Sequence, residues 1–253
     1  MSSPPELSVI IPAYNEERRL GRTLTRIRDY FAAGPFGLDR IEIIVVDDGS
    51  TDGTAKVTRD YARELPCLRL VANGVNRGKG YSVRHGMLEA RGRIALFTDA
   101  DLSAPIEEFE KLLTAIDAGN DVAIGSRALD RSLISTHQSR FREVAGMIFN
   151  GFVRIFTGLP FHDTQCGFKA FVSDRCRVVF EQQRIERFGF DPEVLFLARR
   201  HGLRAAEVPV RWAHDPATKV HVLRDSLLMF ADLIHIRWNW LLGRYPLRRR
   251  AGN

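Results

Sequence analysis

Two aspartates, Asp99 and Asp101, follow the apolar run Ile94–Thr98. Residues two apart in extended backbone project to the same side, so both carboxylates can face one point. Such a pair of hard oxygen ligands suits Mg²⁺ or Mn²⁺, which complete their shells with water and phosphate oxygens. Spaced aspartates are also common in solvated turns, but a place directly after an apolar strand favours a ligand site. We therefore expect Asp99 and Asp101 to hold a divalent metal.

Two further aspartates, Asp47 and Asp48, end another apolar run. One of these carboxylates could accept hydrogen bonds from a base or a ribose, or it could cap the helix that follows. Asp52 makes a good N-cap by itself, so we assign Asp52 to the helix start and Asp48 to a ligand. Adjacent carboxylates repel each other, which favours a position beside donors or a cation.

A glycine-rich segment spans residues 74–80 and carries Lys79 between Gly78 and Gly80. It is not a P-loop, because the Walker A pattern requires Ser or Thr after the lysine, and it is not the GxGxxG of dinucleotide-binding folds. Its glycines would let the backbone approach a diphosphate, with Lys79 at the start of the next helix. A plain tight turn is the alternative.

Asp191 and Glu193 flank Pro192. Either carboxylate could act as a general base or orient hydroxyl groups of a ligand. Capping of a helix that begins near Pro192 is an equally good explanation, and the sequence leaves both open.

The elements that would position these residues are short strands alternating with helices, which predicts a mostly parallel α/β sheet. Ligands bind outside the carboxyl ends of such strands, where the polar clusters fall. The predicted strands cover residues 7–11, 41–47, 68–71, 94–98, 122–125, 168–171 and 205–210. Helices are predicted from about residues 16, 54, 80, 106 and 141, and near residues 174 and 192. We expect one domain over residues 1–214.

From residue 215 onward apolar residues recur at helical spacing, which predicts an amphipathic helix within an extension over residues 215–253. The stripe consists of Leu223, Leu227, Phe230, Ile234, Trp238 and Leu241. Tryptophans followed by the basic cluster at residues 248–250 are typical of a helix at a membrane interface. An ordinary helix packed on the core is the alternative.

The charge balance favours an anionic partner, since the 253 residues carry a net charge of +6. No helix-turn-helix, RNA-recognition or zinc motif is present, which argues against nucleic acid. The three scattered cysteines favour a reducing compartment. No apolar run approaches the roughly 20 residues of a membrane span, and the first six residues lack a signal-peptide pattern, so we expect a protein that is not exported.

Taken together and in order, the segments 9–16, 47–54, 78–80 and 99–101 resemble those of family 2 glycosyltransferases, which have the GT-A fold. Three more segments, at residues 125–127, 163–169 and 190–193, resemble the dolichyl-phosphate β-glucosyltransferase branch, a relative of the dolichyl-phosphate mannose synthases. The resemblance extends from about residue 7 to residue 241. Each motif is weak alone, whereas the ordered set is specific.

The resemblance implies a role for each matching residue. The nucleotide sugar would contact Pro12, Tyr14, Glu16, Val46, Asp48, Lys79, Asp99, Ala100, Asp101 and Arg127. Asp99, Asp101, Asp191 and Arg127 would form the catalytic set, and Arg140 and Lys219 would lie near the phosphate of the acceptor. Ser103 stands where the mannose synthases have a metal-contacting glutamine, which puts a third protein ligand for Mg²⁺ or Mn²⁺ in doubt.

The implied reaction is inverting transfer of glucose from UDP-glucose to a polyprenyl or dolichyl phosphate, by a peripheral protein on the cytoplasmic face of a membrane. Three alternatives remain. The donor could be GDP-mannose, or the acceptor could be a hydroxyl group, in which case Asp191 becomes an obligatory base. The third is a catalytically inactive nucleotide-binding membrane protein, against which the intact aspartate pair argues.

Overall fold

The computed structural model describes residues 4–215 and 222–247, so Lys219 and the arginines at 248–250 lie outside the described residues. The strands are β1 Leu7–Ala13, β2 Ile41–Asp47, β3 Leu68–Ala72, β4 Ile94–Thr98, β5 Val122–Ser126, β6 Ile134–Thr136, β7 Phe168–Val172, β8 Ala205–Pro209 and β9 Trp212–Ala213. The helices are α1 Glu17–Ala33, α2 Thr54–Glu64, α3 Lys79–Glu89, α4 Phe109–Asp117, α5 Arg140–Thr157, α6 Ser173–Gln182, α7 Phe190–Arg200 and α8 Val222–Leu241.

Seven strands form one sheet in the order β3-β2-β1-β4-β7-β5-β8. The pairs β1–β2, β2–β3, β1–β4 and β5–β8 are parallel, which confirms the predicted mostly parallel α/β sheet. Strand β7 runs antiparallel between β4 and β5, with Phe168 opposite Thr98. The residues just before β7 therefore meet the residues just after β4 at one edge of the sheet.

The central strands are buried on both faces, which explains their nearly continuous apolar sequence. Ile11 and Leu96 face one core, to which α1 and α4 contribute, while Ile10 and Phe97 face the other. Helices α3, α5, α6, α7 and α8 all bury residues in that second core. Helices α1 and α4 thus lie on the opposite side of the sheet from α5 and α8.

The C-terminal helix α8 packs on this second core through residues that the predicted stripe did not include. Leu233 and Ile236 are fully buried there, while Leu227, Ile234, Trp238 and Leu241 of the stripe are exposed. Phe230 is half-buried and meets Phe152 and Phe156 of α5 edge to face. The apolar stripe therefore lies on a helix, as its spacing predicted. Most of its residues, however, are not on the face of α8 that packs against the domain.

A second, two-stranded sheet joins β6 to β9 and was not predicted. These strands are three and two residues long. A period of two cannot be recognised over so few residues, and their pairing depends on long-range contacts that bring Trp212 back beside Ile134.

The end of the described chain is tied to the core by a buried carboxylate, Glu193. Its oxygens accept hydrogen bonds from the backbone N–H of Ile185 and from the hydroxyl of Tyr245. The Tyr245 hydroxyl in turn accepts a hydrogen bond from the side chain of Asn239. Burial raises the pKa of Glu193 from 4.5 to about 6, although these donors lower it in part.

Replacing Tyr245 with Phe removes one donor from this carboxylate, and we expect the free energy of unfolding to fall by about 1–3 kcal/mol at pH 8. A carboxyl group with a raised pKa contributes stability that is present below pH 4.5 and is lost as pH rises through about 6. Only the ionised form of Glu193 needs the Tyr245 donor, so the decrease in the free energy of unfolding should be smaller at pH 5. Urea denaturation at pH 5 and pH 8 measures this free energy.

Tyr30→Phe is the matched control, since the Tyr30 hydroxyl makes an exposed bond of 3.3 Å to Glu110. It should change the unfolding free energy by less than about 0.5 kcal/mol. Equal losses for the two variants, or a larger loss for Tyr245→Phe at pH 5 than at pH 8, would contradict this account of Glu193.

Candidate active site

The loops after β1 and β2 are bound to each other at the carboxyl edge of the sheet. The backbone N–H of Asn15 donates to the Ser50 hydroxyl at 2.9 Å, and the N–H of Thr51 donates to the Asn15 side chain at 2.8 Å. Asn15 adopts a positive φ of 52°, which turns the chain sharply after the strand. The N–H of Glu16 donates to the Thr54 hydroxyl at 2.7 Å. The two loops are therefore joined into one wall at this edge of the sheet.

The residues predicted to hold the nucleoside lie at the ends of β1 and β2 or just after them, and they differ in solvent exposure. Tyr14 is 36% exposed, and Pro12 and Glu16 are half-buried. Val46 is fully buried in the second core. The nucleoside contacts of these four residues stay predictions.

Asp48 stabilises the loop that precedes Lys79. Its carboxylate is buried and accepts hydrogen bonds from the backbone N–H groups of Arg77 and Gly78, at 3.0 and 2.8 Å, and from the Asn73 side chain at 2.7 Å. Asp48 thus fixes the backbone immediately before Lys79, a role that the sequence did not indicate. The predicted ligand contact of Asp48 stays a prediction.

Asp52 has the structural role predicted for it. Its carboxylate accepts from the backbone N–H of Thr54 at 3.0 Å and from that of Glu17 at 3.2 Å. It therefore stabilises the starts of α2 and α1 together, one position earlier than a formal N-cap, which is Gly53.

The Asp99–Asp101 turn is held in one shape by its own backbone. The N–H of Leu102 donates to the Asp99 carbonyl at 3.1 Å, and Leu102 has a φ of 48°, unusual for a residue with a branched side chain. The Ala100 carbonyl accepts from the Thr23 hydroxyl at 2.6 Å, and Asp101 accepts from the N–H of Ser103 at 2.9 Å. Strain of this kind is typical of functional turns.

The donor set at this turn fits a hard divalent cation. Burial and the adjacent charge of Asp99 raise the pKa of Asp101, so a cation between the two carboxylates would relieve both effects. Among the residues that the structure describes, no group of three His, Cys, Asp or Glu side chains is placed to hold a metal. A cation here would complete its shell with water and phosphate oxygens.

Two lysines pair with the aspartates close to one aromatic ring. Lys79 lies 2.6 Å from Asp99, and Lys169, on β7, lies 2.5 Å from Asp191. Both ammonium groups lie within 6 Å of the Phe97 ring centroid. The structure thus brings Asp191 together with the predicted metal residues through a shared network of charges.

The pKa directions describe this network. Burial raises the pKa of Asp191, against the lowering effect of Lys169 and Lys79. Burial alone would lower the pKa of Lys79, but the carboxylates of Asp99 and Asp191 outweigh it and raise the pKa. Asp191 is 4% exposed and bonded to Lys169, so the structure holds it as the partner of a cation.

Arg127 is oriented by Asp163. Its Nε and Nη2 donate to the two oxygens of that carboxylate at 2.6 and 2.9 Å, and its guanidinium lies 5.3 Å from the Trp212 ring centroid. Burial would lower the pKa of Arg127, but Asp163 outweighs it and raises the pKa. Burial would raise the pKa of Asp163, but Arg127 lowers it to about 2. Both groups are therefore charged across the physiological range.

A cavity of about 130 Å³ opens beside Arg127. Its polar lining includes Arg127, Arg131, Arg142 and Gln165, and its apolar lining includes Met147, Phe149 and Trp212. Arg140, predicted near the acceptor phosphate, is exposed at the first position of α5 and is not among the lining residues. Sequence reasoning missed Arg131 and Arg142.

Arg19 is another residue that the sequence did not indicate. It pairs with Glu16, lies 2.8 Å from Asp215 and 3.9 Å from Asp101. Through it the wall formed after β1 is connected to the aspartate turn and to the last residue before the undescribed segment 216–221. An arginine in the first turn of an amphipathic helix gives no signal of such contacts.

The sequence does contain a signal that Lys169 belongs to the site. A lysine between Phe168 and Ala170 in an otherwise apolar central strand must be buried, and a buried ammonium needs an anionic partner. Asp163 left a weaker one, because it belongs to the segment 163–169 that carries the resemblance.

Comparison with known proteins shows the family of the chain. The family model for glycosyl transferase family 2 matches residues 8–172. A dolichyl-phosphate beta-glucosyltransferase of Drosophila melanogaster is 38% identical over 96% of this chain and 77% of its own length. The proteins of that name from Saccharomyces cerevisiae and Homo sapiens are 37% and 33% identical, over 94% and 98% of this chain and 76% and 80% of their own lengths.

Solved structures match the whole fold. Glucosyl-3-phosphoglycerate synthase from Mycobacterium tuberculosis, in complex with Mn²⁺, UDP and glucosyl-3-phosphoglycerate, has a TM-score of 0.64 and 20% identity, covering 97% of this chain and 82% of that one. The fold expected from the motifs is thereby confirmed. The chain is a glycosyltransferase and belongs to glycosyl transferase family 2.

Proposed function

We propose that the protein transfers glucose from UDP-glucose to a dolichyl or other polyprenyl phosphate and inverts the anomeric configuration. The observation that carries the proposal is the cavity beside Arg127, whose lining combines three arginines with apolar side chains. Two of the arginines pair with carboxylates of the same lining, Arg127 with Asp163 and Arg131 with Glu143, which leaves an excess of positive charge. A phosphate attached to an apolar chain matches both kinds of lining. The names of the relatives support the same acceptor.

The donor would lie at the carboxyl edge of the sheet, against the loops after β1, β2 and β4. UDP and UDP-glucose occur in the complexes of the mycobacterial synthase, which supports a uridine nucleotide. Lys79, which pairs with Asp99, and Arg127 supply positive charge near the Asp99–Asp101 turn. Together they would neutralise the diphosphate.

Asp99 and Asp101 would hold Mg²⁺ or Mn²⁺, and the Mn²⁺ in complexes of the mycobacterial synthase supports a divalent ion. Bound there, the ion would supply positive charge to the leaving diphosphate.

The acceptor needs little activation. A phosphate monoester has its second pKa near about 6 and is mostly a dianion at neutral pH. Its oxygen forms a bond to the anomeric carbon as the bond from that carbon to the UDP oxygen breaks, and UDP leaves with the electron pair. Arg127, Arg131 and Arg142 would bring the acceptor anion toward an already negative donor. No proton has to be removed.

A hydroxyl acceptor is the alternative, with Asp191 as its base. The contact between Asp191 and Lys169 disfavours it, because one oxygen of this buried carboxylate, Oδ1, already accepts a hydrogen bond from the lysine. We propose instead that Asp191 orients groups of the sugar.

Asp101→Asn should reduce transfer by about 100-fold or more, because the ion stabilises the leaving charge by several kcal/mol. The protein is incubated with polyprenyl phosphate and labelled UDP-glucose in the presence of Mn²⁺, Mg²⁺ or EDTA, and a parallel reaction uses labelled GDP-mannose. The labelled sugar that enters the organic phase measures transfer. The exposed Asp117→Asn should keep full activity. Undiminished transfer in Asp101→Asn would disprove the metal assignment, and product from GDP-mannose alone would disprove the donor.

We further propose that the protein docks peripherally on the cytoplasmic face of an anionic membrane through α5 and α8. None of the helices in the described part of the chain combines the length and apolarity needed to cross a bilayer. Helix α5 exposes an apolar stripe at three- and four-residue spacing: Phe141, Val144, Ile148, Phe152 and Ile155. Phe152 meets Phe230, so this stripe adjoins the exposed Leu227, Ile234, Trp238 and Leu241 of α8.

A bilayer with anionic lipids is the partner that fits this surface. Exposed arginines border it, namely Arg140 and Arg154 on α5, Arg237 on α8, and Arg244 just beyond. Apolar side chains with a cationic border bind headgroup regions. The arginine cavity opens on α5 itself, through Arg142 and Met147, so a docked lipid phosphate would be near it.

Ile148→Glu with Ile155→Glu should weaken binding to vesicles of phosphatidylcholine and phosphatidylserine by about tenfold or more, because two charges would enter the apolar boundary. Both side chains are more than half exposed, so folding should survive. The control, Ala33→Glu with Ala118→Glu, adds equal charge at exposed positions of α1 and beside α4, on the other side of the sheet. Cosedimentation measures binding, and equal losses in both variants would refute the docking surface.

A further inference from the structure

The ion pair between Lys79 and Asp99 has a consequence for how the site is filled. We propose that Lys79 is an exchangeable counter-ion, which neutralises Asp99 until a nucleotide diphosphate draws its ammonium group away and frees Asp99 for a divalent cation. The inference rests on the proposed nucleotide diphosphate donor. It assigns Lys79 a positioning role in the order and coupling of binding.

Of the two lysines in the network, only Lys79 can make this exchange. Lys169 is 1% exposed and donates both to Asp191 and to the Cys166 carbonyl at 2.6 Å. Lys79 is 22% exposed and pairs with Asp99, which is 32% exposed. Lys169 is therefore a fixed charge, while the Lys79 ammonium group has access to solvent and can move.

Asp99 has one oxygen beside Lys79 and the other beside Gly167. Its Oδ1 contacts Lys79, and its Oδ2 lies so close to Gly167 that an added Cβ would be 2.0 Å from that oxygen. The backbone N–H of Asp99 donates to the Gly167 carbonyl at 3.2 Å, which holds the two segments together. A cation that binds Oδ1 of Asp99 would therefore compete with Lys79 for that oxygen.

The charges of the network favour exchange over simple addition. Three carboxylates, Asp99, Asp101 and Asp191, face the ammonium groups of Lys79 and Lys169, and the Arg19 guanidinium lies 3.9 Å from Asp101. A divalent cation alone would add positive charge to carboxylates that already have cationic partners. A diphosphate that binds Lys79 removes one of these partners, so the cation and the diphosphate should each favour the other.

The backbone around Lys79 is fixed, so the exchange needs only side-chain movement. Gly78 has a φ of 110° and its N–H is held by Asp48. Gly80 packs so closely that an added Cβ would lie 2.7 Å from the Ile185 carbonyl oxygen and the Phe190 side chain. Lys79 is the first residue of α3 and its stem starts from a rigid point.

Lys79→Met tests the proposal through binding alone. Calorimetric titration with Mn²⁺, with UDP, and with each in the presence of the other gives four affinities and one coupling factor. We expect Mn²⁺ alone to bind about tenfold more tightly to the variant, UDP alone to bind less tightly, and the coupling factor to fall by about tenfold. Lys79→Arg, which keeps the charge, should retain weak Mn²⁺ binding.

Lys56→Met is the matched control, since Lys56 forms an ion pair of 2.8 Å with Asp60 on the surface of α2. It should leave all four affinities unchanged. Unchanged or weaker Mn²⁺ binding by Lys79→Met would overturn the proposal. The readout does not require transfer, so it is distinguishable from failure of the proposed reaction, which would show as UDP binding without product.

A measurement on the unaltered protein covers the case in which Lys79→Met does not fold. NMR spectra of protein labelled with ¹⁵N in its lysine side chains show the ammonium groups. The signal that is present in the unaltered protein and missing in Lys79→Arg belongs to Lys79. UDP without metal should shift this signal, while the Lys169 signal should not move. A Lys79 signal that is insensitive to UDP would refute the exchange.

Discussion

The repulsion between carboxylates at the carboxyl edge of the sheet is the constraint on which the rest of the site depends. Strand β4 ends at this edge with Asp99 and Asp101 just after it, and Asp191 near the start of α7 lies in the same network of charges. Their charges have to be balanced by cations held on other elements. Lys79 comes from the start of α3 and Lys169 from β7, and both lie near Phe97. The fold is thus arranged to deliver positive charge to a point that the strand topology makes negative.

The antiparallel strand β7 makes this arrangement possible. Because it runs against β4, its first residues lie beside the last residues of β4, and Gly167 touches Asp99. The same reversal directs Lys169 toward Asp191 and leaves Asp163, a few residues earlier, beside Arg127. A parallel strand in this place would have carried residue 167 to the opposite edge. One reversed strand therefore links the aspartate turn, the buried lysine and the arginine of the proposed acceptor cavity.

The sequence predicted those features that depend on local pattern. Every strand of the large sheet and each of the eight helices in the described part of the chain leaves a local sequence signal, and the aspartate turn was recognised by its place after an apolar run. The direction of β7 leaves no such signal, because a buried strand has the same apolar pattern whether it runs parallel or antiparallel to its neighbours. Nor does a local pattern show that the Asp48 carboxylate supports the loop before Lys79, or that Arg19 bridges Glu16 and Asp215. These contacts join residues far apart in the chain, and only the packed structure brings them together.

The proposed docking surface and the proposed acceptor site share one helix, and this has a physical consequence. Helix α5 carries Arg142 and Met147 on the cavity side and the exposed stripe from Phe141 to Ile155 on another. A helix that lies at the headgroup level with its stripe in the acyl boundary would hold the cavity at the depth of lipid phosphates. The polyprenyl chain would then stay in the bilayer while only its phosphate enters the protein. No large apolar tunnel is needed for such an acceptor, which agrees with a cavity of only about 130 Å³.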